Sequence, residues 1–313
     1  MKKCLIIHPE ELTDNMIDTL ISSGVQVVGL HPVGGTSSLE SMKDLMKSVE
    51  QDEFRNKLQK LRENGISVEY QLHALSYLLP RELFSDHPDW FRIDENGKRN
   101  NDVNMCPSNE EALRLVAKNT AEVVKKLKSD TGKYYFWLDD VSGGGCMCEK
   151  CRNLTLSDQA LLIYNAILNG IREVDPDGKQ CFLAYIKQLS PPEKVKPNKG
   201  IFVEFAPMRG NTNLPFATNP ENEKFIKHID QLLRFFGKED STVLDYWLDN
   251  SLFSNWTKPP KKLSINPKVI SEDVEFYKSK GFEEITTFAC YLSDDYRELH
   301  GEPPIAEYIK AFN

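Results

Sequence analysis

Strand-like and helix-like runs alternate along this chain from end to end, and few folds accept that order. Short apolar, β-branched runs recur at 3–8, 25–30, 66–72, 134–138, 181–186, 201–205, 242–247 and 284–291. Between most of them lie helical patterns. Leu161, Tyr164, Leu168 and Ile171 recur at intervals of three and four after a start at Ser157, which marks one helical face. Thr13 or Asp14 can cap an early helix that Gly24 closes in a left-handed conformation. Ser108 and Glu111 have capping-box spacing, while the Pro-rich connection 187–200 is expected to lack a helix. Successive strands separated by helices pair in parallel through right-handed crossovers. The pattern predicts an α/β fold, a single (β/α)8 TIM barrel over residues 1–313. An open doubly wound sheet would carry a Gly-rich turn after its first strand, and here that turn is Pro9-Glu10-Glu11.

Charge and hydropathy narrow the partners. A formal net charge of −8 argues against a nucleic-acid footprint, which needs clustered Lys and Arg. The run Lys258-Pro259-Pro260-Lys261-Lys262 reads as a solvated loop. No run approaches the roughly 20 apolar residues of a membrane helix. The first apolar run stops at His8-Pro9, too short for a secretory segment, so the chain as it stands reads as cytoplasmic, although a trimmed exported chain would look the same.

A barrel places its chemistry at the C-terminal ends of its strands. Those ends carry His31, Glu69, His73, Asp139, Asp140, Tyr185, Glu204, Arg209, Asp245, Trp247 and Tyr291. Asp139 and Asp140 end the strongly apolar fourth run. Neighbouring strand residues point to opposite faces, so one of the two is expected to face the pocket. The other reading is a loop cap beside an ion pair. Glu204 and Asp245 sit among apolar residues, and each is either a catalytic carboxylate or half of an internal ion pair, with Arg209 or Lys187 as partner. Paired carboxylates suit glycoside hydrolysis, and one suffices to orient a substrate whose own acetamido group attacks. Tyr185, Trp247, Tyr291 and Trp90 can stack on sugar rings. Asp139, Asp140, Glu204 and Asp245 are therefore the candidate catalytic set, with His31, Glu69, His73, Tyr185, Arg209, Trp247 and Tyr291 the candidates for binding an oligosaccharide or glycan. The alternative is a barrel that binds carbohydrate without turning it over. A metal-dependent hydrolase ranks lower, because the six His residues are widely spaced.

Four of the seven cysteines gather in two neighbouring loops: Cys106 after the third strand, and Cys146, Cys148 and Cys151 as C-x-C-x-x-C after the fourth. Four thiolates would suit a closed, structural Zn²⁺ site, with no cofactor needed for catalysis. Free thiols, or disulfides in an exported protein, are the alternatives. Cys4, Cys181 and Cys290 read as small buried residues.

The run from His73 through Pro80-Arg81-Glu82 to Phe84, then His87-Pro88-Asp89-Trp90-Phe91, resembles the domain-of-unknown-function 4838 proteins. So do Cys106-Pro107-Ser108-Asn109, Asp139-Asp140 and the cysteine cluster, a likeness specific over about 69–151. That group corresponds to glycoside hydrolase family 163. The resemblance implies a barrel hydrolase of N-acetylglucosamine-containing glycans, a β-N-acetylglucosaminidase-like enzyme acting with retention. The family's Asp-Gly-Gly-Cys-x-Cys motif is altered here, since Val141 and Ser142 separate Asp140 from Gly143.

Overall fold

The strands form where the apolar β-branched runs lie. The computed structural model describes residues 1–312. It contains β1 (Lys2–Ile7), β2 (Val27–Leu30), β3 (Ser67–His73), β4 (Lys133–Trp137), β5 (Lys179–Tyr185), β6 (Ile201–Ala206), β7 (Thr242–Asp245) and β8 (Glu284–Phe288). They follow one another in chain order around a closed parallel barrel, as the alternation predicts.

Local chemistry moves some boundaries. β7 stops at Asp245 rather than at Trp247, because the Asp245 carboxylate accepts the next backbone N–H, that of Tyr246, at 2.7 Å. The helix Glu110–Lys126 is capped by Asn109, whose side chain accepts from Ala112, and not by Ser108. The helix Leu156–Arg172 starts under a Thr155–Asp158 capping box, just ahead of Ser157. The long helical region after β2 breaks into Ser38–Ser48 and Asp52–Glu63.

Contacts gather into two compact units, one of residues 1–31, 50–69 and 204–313, the other of residues 32–49 and 70–203. In the first unit, register sorts every strand residue onto a face. Lys2 pairs with Glu284, Cys4 with Thr286 and Ile6 with Phe288. Glu204 pairs with Thr242, and Thr242 with Glu284. Partners across parallel strands share a face. Asp245 bonds Tyr277 of the helix Pro267–Lys280, and Phe205 packs on Phe216 and Phe282, so these odd-numbered positions face the helices. Their even-numbered neighbours, Glu204 and Thr242 with Glu284 and Lys2 in register, face the other way. The helix side holds an apolar layer of Phe205, Phe216, Trp247, Tyr277 and Tyr308, each less than 2% exposed. At about 25 cal/mol per Å² of apolar surface removed from water, these side chains anchor that layer.

In the second unit Gln71 pairs with Tyr135 and His73 with Trp137. Phe182 packs on Tyr164 of the helix Leu156–Arg172, which sets the helix-facing side of β5. Cys181 therefore lies on the opposite side, where its Sγ accepts the Trp137 indole N–H at 3.3 Å.

Candidate active site

At the end of β4 the chain leaves the ladder through Leu138, Asp139 and Asp140, and the two carboxylates meet different surroundings. Asp139 is enclosed. Its Oδ1 accepts from the Ser76 hydroxyl at 2.6 Å and from the Ser76 backbone at 3.1 Å. Its Oδ2 accepts from the Asn104 backbone at 2.6 Å and from the Arg81 guanidinium. The Asn104 side-chain oxygen accepts the Asp139 N–H in return, and its amide donates to the Gly144 carbonyl. This carboxylate ties the segment after β3 to the loop after β4.

Asp140 stays open, its side chain 34% exposed. Its Oδ2 accepts the Gly35 N–H at 3.2 Å, and its Oδ1 lies 4.0 Å from His73 Nε2. His73 ends β3, and its Nδ1 sits 2.7 Å from the Leu138 carbonyl, which can only accept. Nδ1 therefore carries the proton, and Nε2 is directed at Asp140. The Trp137 ring backs this imidazole, with centroids 5.1 Å apart. At 4.0 Å the two groups are not directly hydrogen-bonded, a gap that one bridging water would span at this solvent-reached strand end. Tyr185 ends β5 half-buried, and Ile186 after it takes φ +46°, an uncommon conformation for a β-branched residue. Such conformations gather at functional sites.

In the first unit the sequence-selected residues separate into two groups. Arg209, Asp245 and Trp247 join a buried network on the helix side. The Arg209 Nε donates to Asp245 at 3.2 Å, and a terminal nitrogen donates to Asp273 at 2.7 Å. Tyr277 donates its hydroxyl to Asp245, and the Trp247 indole donates to Asp273. Burial works to lower the Arg209 pKa, but the Asp245 and Asp273 carboxylates outweigh it and raise the value. Burial raises the Asp273 pKa. Glu204 is fully buried on β6, in register with Thr242 and through it with Glu284, the first residues of β7 and β8. It is the fourth of the six residues of β6, two before the strand's C-terminal end. Glu69 is likewise buried within β3, on the face that His73 shares by alternation.

His31 and Tyr291 belong to the other group, together with residues outside the candidate set, among them His8 and Asp249, which also lie at predicted strand ends. His31 contacts Phe288, which contacts Tyr246, at centroid distances of 5.1 and 5.7 Å. His8 holds the His31 carbonyl through Nδ1 at 2.7 Å. The Lys258 ammonium lies 4.9 Å from the Tyr291 ring centre. Tyr291 adopts φ +62°, and its N–H donates to Glu11 at 2.5 Å. Burial pushes the Glu11 carboxyl up to about 8. Burial also raises the Asp249 pKa, although the Ser251 hydroxyl and Leu252 N–H donate to that carboxylate. Parity would have found Tyr246, since it must face opposite to Asp245. Nothing in spacing announces Gly35, Arg81 or Asn104.

The four clustered cysteines come together, with sulfurs all within 4.8 Å of one another. Among the described residues no helix is long and apolar enough to cross a membrane.

Residues 46–301 match the family model described as a domain of unknown function, DUF4838. The barrel is similar to that of endo-glycoceramidase II from Rhodococcus sp., solved as a lactosyl–enzyme intermediate. The TM-score is 0.53 at 12% identity, covering 92% of this chain and 73% of that one. A β-galactosidase from the psychrophilic Marinomonas ef1 aligns with a TM-score of 0.51 at 14% identity, over 92% of this chain and 54% of its own. At such identities the likeness is one of fold. A 78-residue stretch is 27% identical to the β-galactosidase LacA of Lactobacillus acidophilus, which is 24% of this chain and 12% of that protein.

Proposed function

The chain belongs to the domain-of-unknown-function 4838 family, and from that premise we propose that it is a glycoside hydrolase acting on oligosaccharides or glycans. The observation that carries the reading is the Asp140–His73 pair. A carboxylate at a strand end, open to solvent and faced by an imidazole nitrogen of fixed tautomer, suits proton transfer to a glycosidic oxygen. Its neighbour Asp139 is taken up by Arg81, Ser76 and Asn104 and has the part of a positioning residue. Asp245 has a structural part, with its charge matched by Arg209.

The finer reading is a β-N-acetylglucosaminidase-like, retaining activity. A substrate whose acetamido oxygen attacks its own anomeric carbon needs one protein carboxylate to orient the amide and a proton for the leaving oxygen. Asp140 suits the first task, and His73 suits the second once Nε2 has taken up a proton while Nδ1–H stays on the Leu138 carbonyl. Barrel glycosidases supply the precedent for the architecture, and the family resemblance supplies the sugar.

The test is a panel of 4-nitrophenyl glycosides headed by N-acetyl-β-glucosaminide, with β-galactoside, β-glucuronide and α-glucuronide beside it. Release of 4-nitrophenol from the first, lost in Asp140→Asn, supports the full reading. Release from another sugar alone would keep the hydrolase and replace its substrate. Silence across the panel and on longer N-acetylglucosamine glycans, with glycan binding retained, would replace the enzyme by a carbohydrate-binding barrel.

A further inference from the structure

We propose that Cys106, Cys146, Cys148 and Cys151 hold one Zn²⁺ in a closed structural site that fastens the loop after β3 to the loop after β4. Zinc bound by four thiolates takes Zn–S distances of about 2.3 Å, so the edges of its sulfur tetrahedron are about 3.8 Å. Cys106 Sγ lies 3.7 Å from Cys148 Sγ and 3.9 Å from Cys151 Sγ. All four sulfurs lie within 4.8 Å of one another. A disulfide requires about 2.05 Å, and all seven cysteines are free thiols.

The surroundings suit thiolate ligands. The Ile93 N–H donates to Cys146 Sγ at 3.4 Å, and the Ser108 hydroxyl lies 3.0 Å from Cys151 Sγ, placed to donate. Donors of this kind orient metal ligands and offset their charge. Gln159, from the helix Leu156–Arg172, grips the ligand backbone. Its side-chain oxygen accepts from Cys146 N at 2.7 Å, and its amide donates to the Cys146 and Cys151 carbonyls at 3.2 Å. Cys106, Cys146 and Cys151 are buried, leaving the half-buried Cys148 as the ligand nearest solvent. Four protein sulfurs leave no ligand position for substrate or water, so the ion is structural. Tetrahedral sulfur sites select zinc or iron, and the proposal commits to zinc.

The consequence reaches the loops around Asp139. Asn104 lies two residues before Cys106, and it holds both Asp139 and the Gly144 carbonyl. The metal thus closes the same pair of loops at a second point.

The test is elemental analysis of the full chain, purified without chelator. The expected result is about one zinc per chain, as a four-cysteine site requires. Cys148→Ser is expected to lower that content severalfold, while Cys181→Ser leaves it unchanged. Cobalt substitution of the unaltered chain provides a readout that no misfolded variant can confuse, with sulfur-to-cobalt charge-transfer bands and tetrahedral d–d bands expected. Folded protein without zinc whose four thiols react freely would overturn the proposal. So would a disulfide within the cluster, or iron in place of zinc. Each readout is independent of glycosidase activity.

Discussion

The ends of β4 and β7 look alike as strings, since each places aspartates among aromatic residues, yet their carboxylates meet different surroundings. At β4, Trp137 faces His73, and the carboxylate directly after the caged Asp139 is left partly exposed as Asp140. At β7, Asp245 turns to the helices and meets Arg209 and Tyr277, and Trp247 follows it into the same layer. The difference is one of parity together with a partner. A buried carboxylate persists where a guanidinium compensates it, and a catalytic one needs access. Aromatic–acid composition at a strand end therefore does not identify a site until the facing side is known.

The comparison breaks first at Asp140. Asp140→Asn should reduce turnover by about 10²–10⁴-fold, the range of a lost acid–base group, with the midpoint of thermal unfolding almost unmoved. An unaltered rate would remove β4 from the chemistry. At the β7 end the expected effect is on folding. Arg209→Met leaves Asp245 and Asp273 buried without their cation, and denaturant titration should register a loss of about 3–5 kcal/mol. Combining it with Asp245→Asn and Asp273→Asn should recover part of that loss. If the single variant is as stable as the parent, the network is not what holds Asp245.

Glu11 sharpens the contrast, because backbone N–H groups of His8 and Tyr291 hold it in place of an arginine. Its carboxyl is raised from 4.5 to about 8, chiefly by burial, so between those values the folded chain binds more protons than the unfolded one. Stability from this group is complete below pH 4.5 and is lost as pH rises through 8, by a few kcal/mol. Glu11→Gln should flatten that slope in unfolding curves measured across the window. Asp139→Asn is the mildest test, with about 1–3 kcal/mol expected for unsatisfied buried donors. Its unfolding midpoint should fall while the pH profile of turnover keeps its shape. A changed profile would make Asp139 a participant.

The barrel was legible because alternation of strand and helix is written in short stretches. So were His73, Asp140 and the cysteines, each beside the strand end that presents it. Glu204, Arg209, Asp245 and Trp247 were harder. Glu204 is the fourth residue of β6, yet the stagger between strands pairs it with Thr242, where β7 begins. That stagger is a property of the sheet rather than of any segment. Asp245 and Arg209 meet Asp273, which belongs to a helix well over twenty residues further on. The ion pair with Arg209, one of the two readings open for Asp245, is the one found, whereas Asp273 required knowing which residues of that helix face the strand. Ser108 illustrates the same point at close range. Its capping spacing was sound, but Asn109 took the cap, and the Ser108 hydroxyl faces Cys151.

Gly144 has φ +75°, and a Cβ built there would lie 2.6 Å from the Asn104 amide nitrogen and 2.9 Å from a Val103 methyl. A side chain at this position would displace the Asn104 amide, and with it the Gly144 carbonyl contact and the side-chain oxygen that accepts the Asp139 N–H. In a saturation library selected for activity, position 144 should return as glycine alone. A reader scoring only the tolerance map would mark it as a place where substrate is touched, when its task is to be empty.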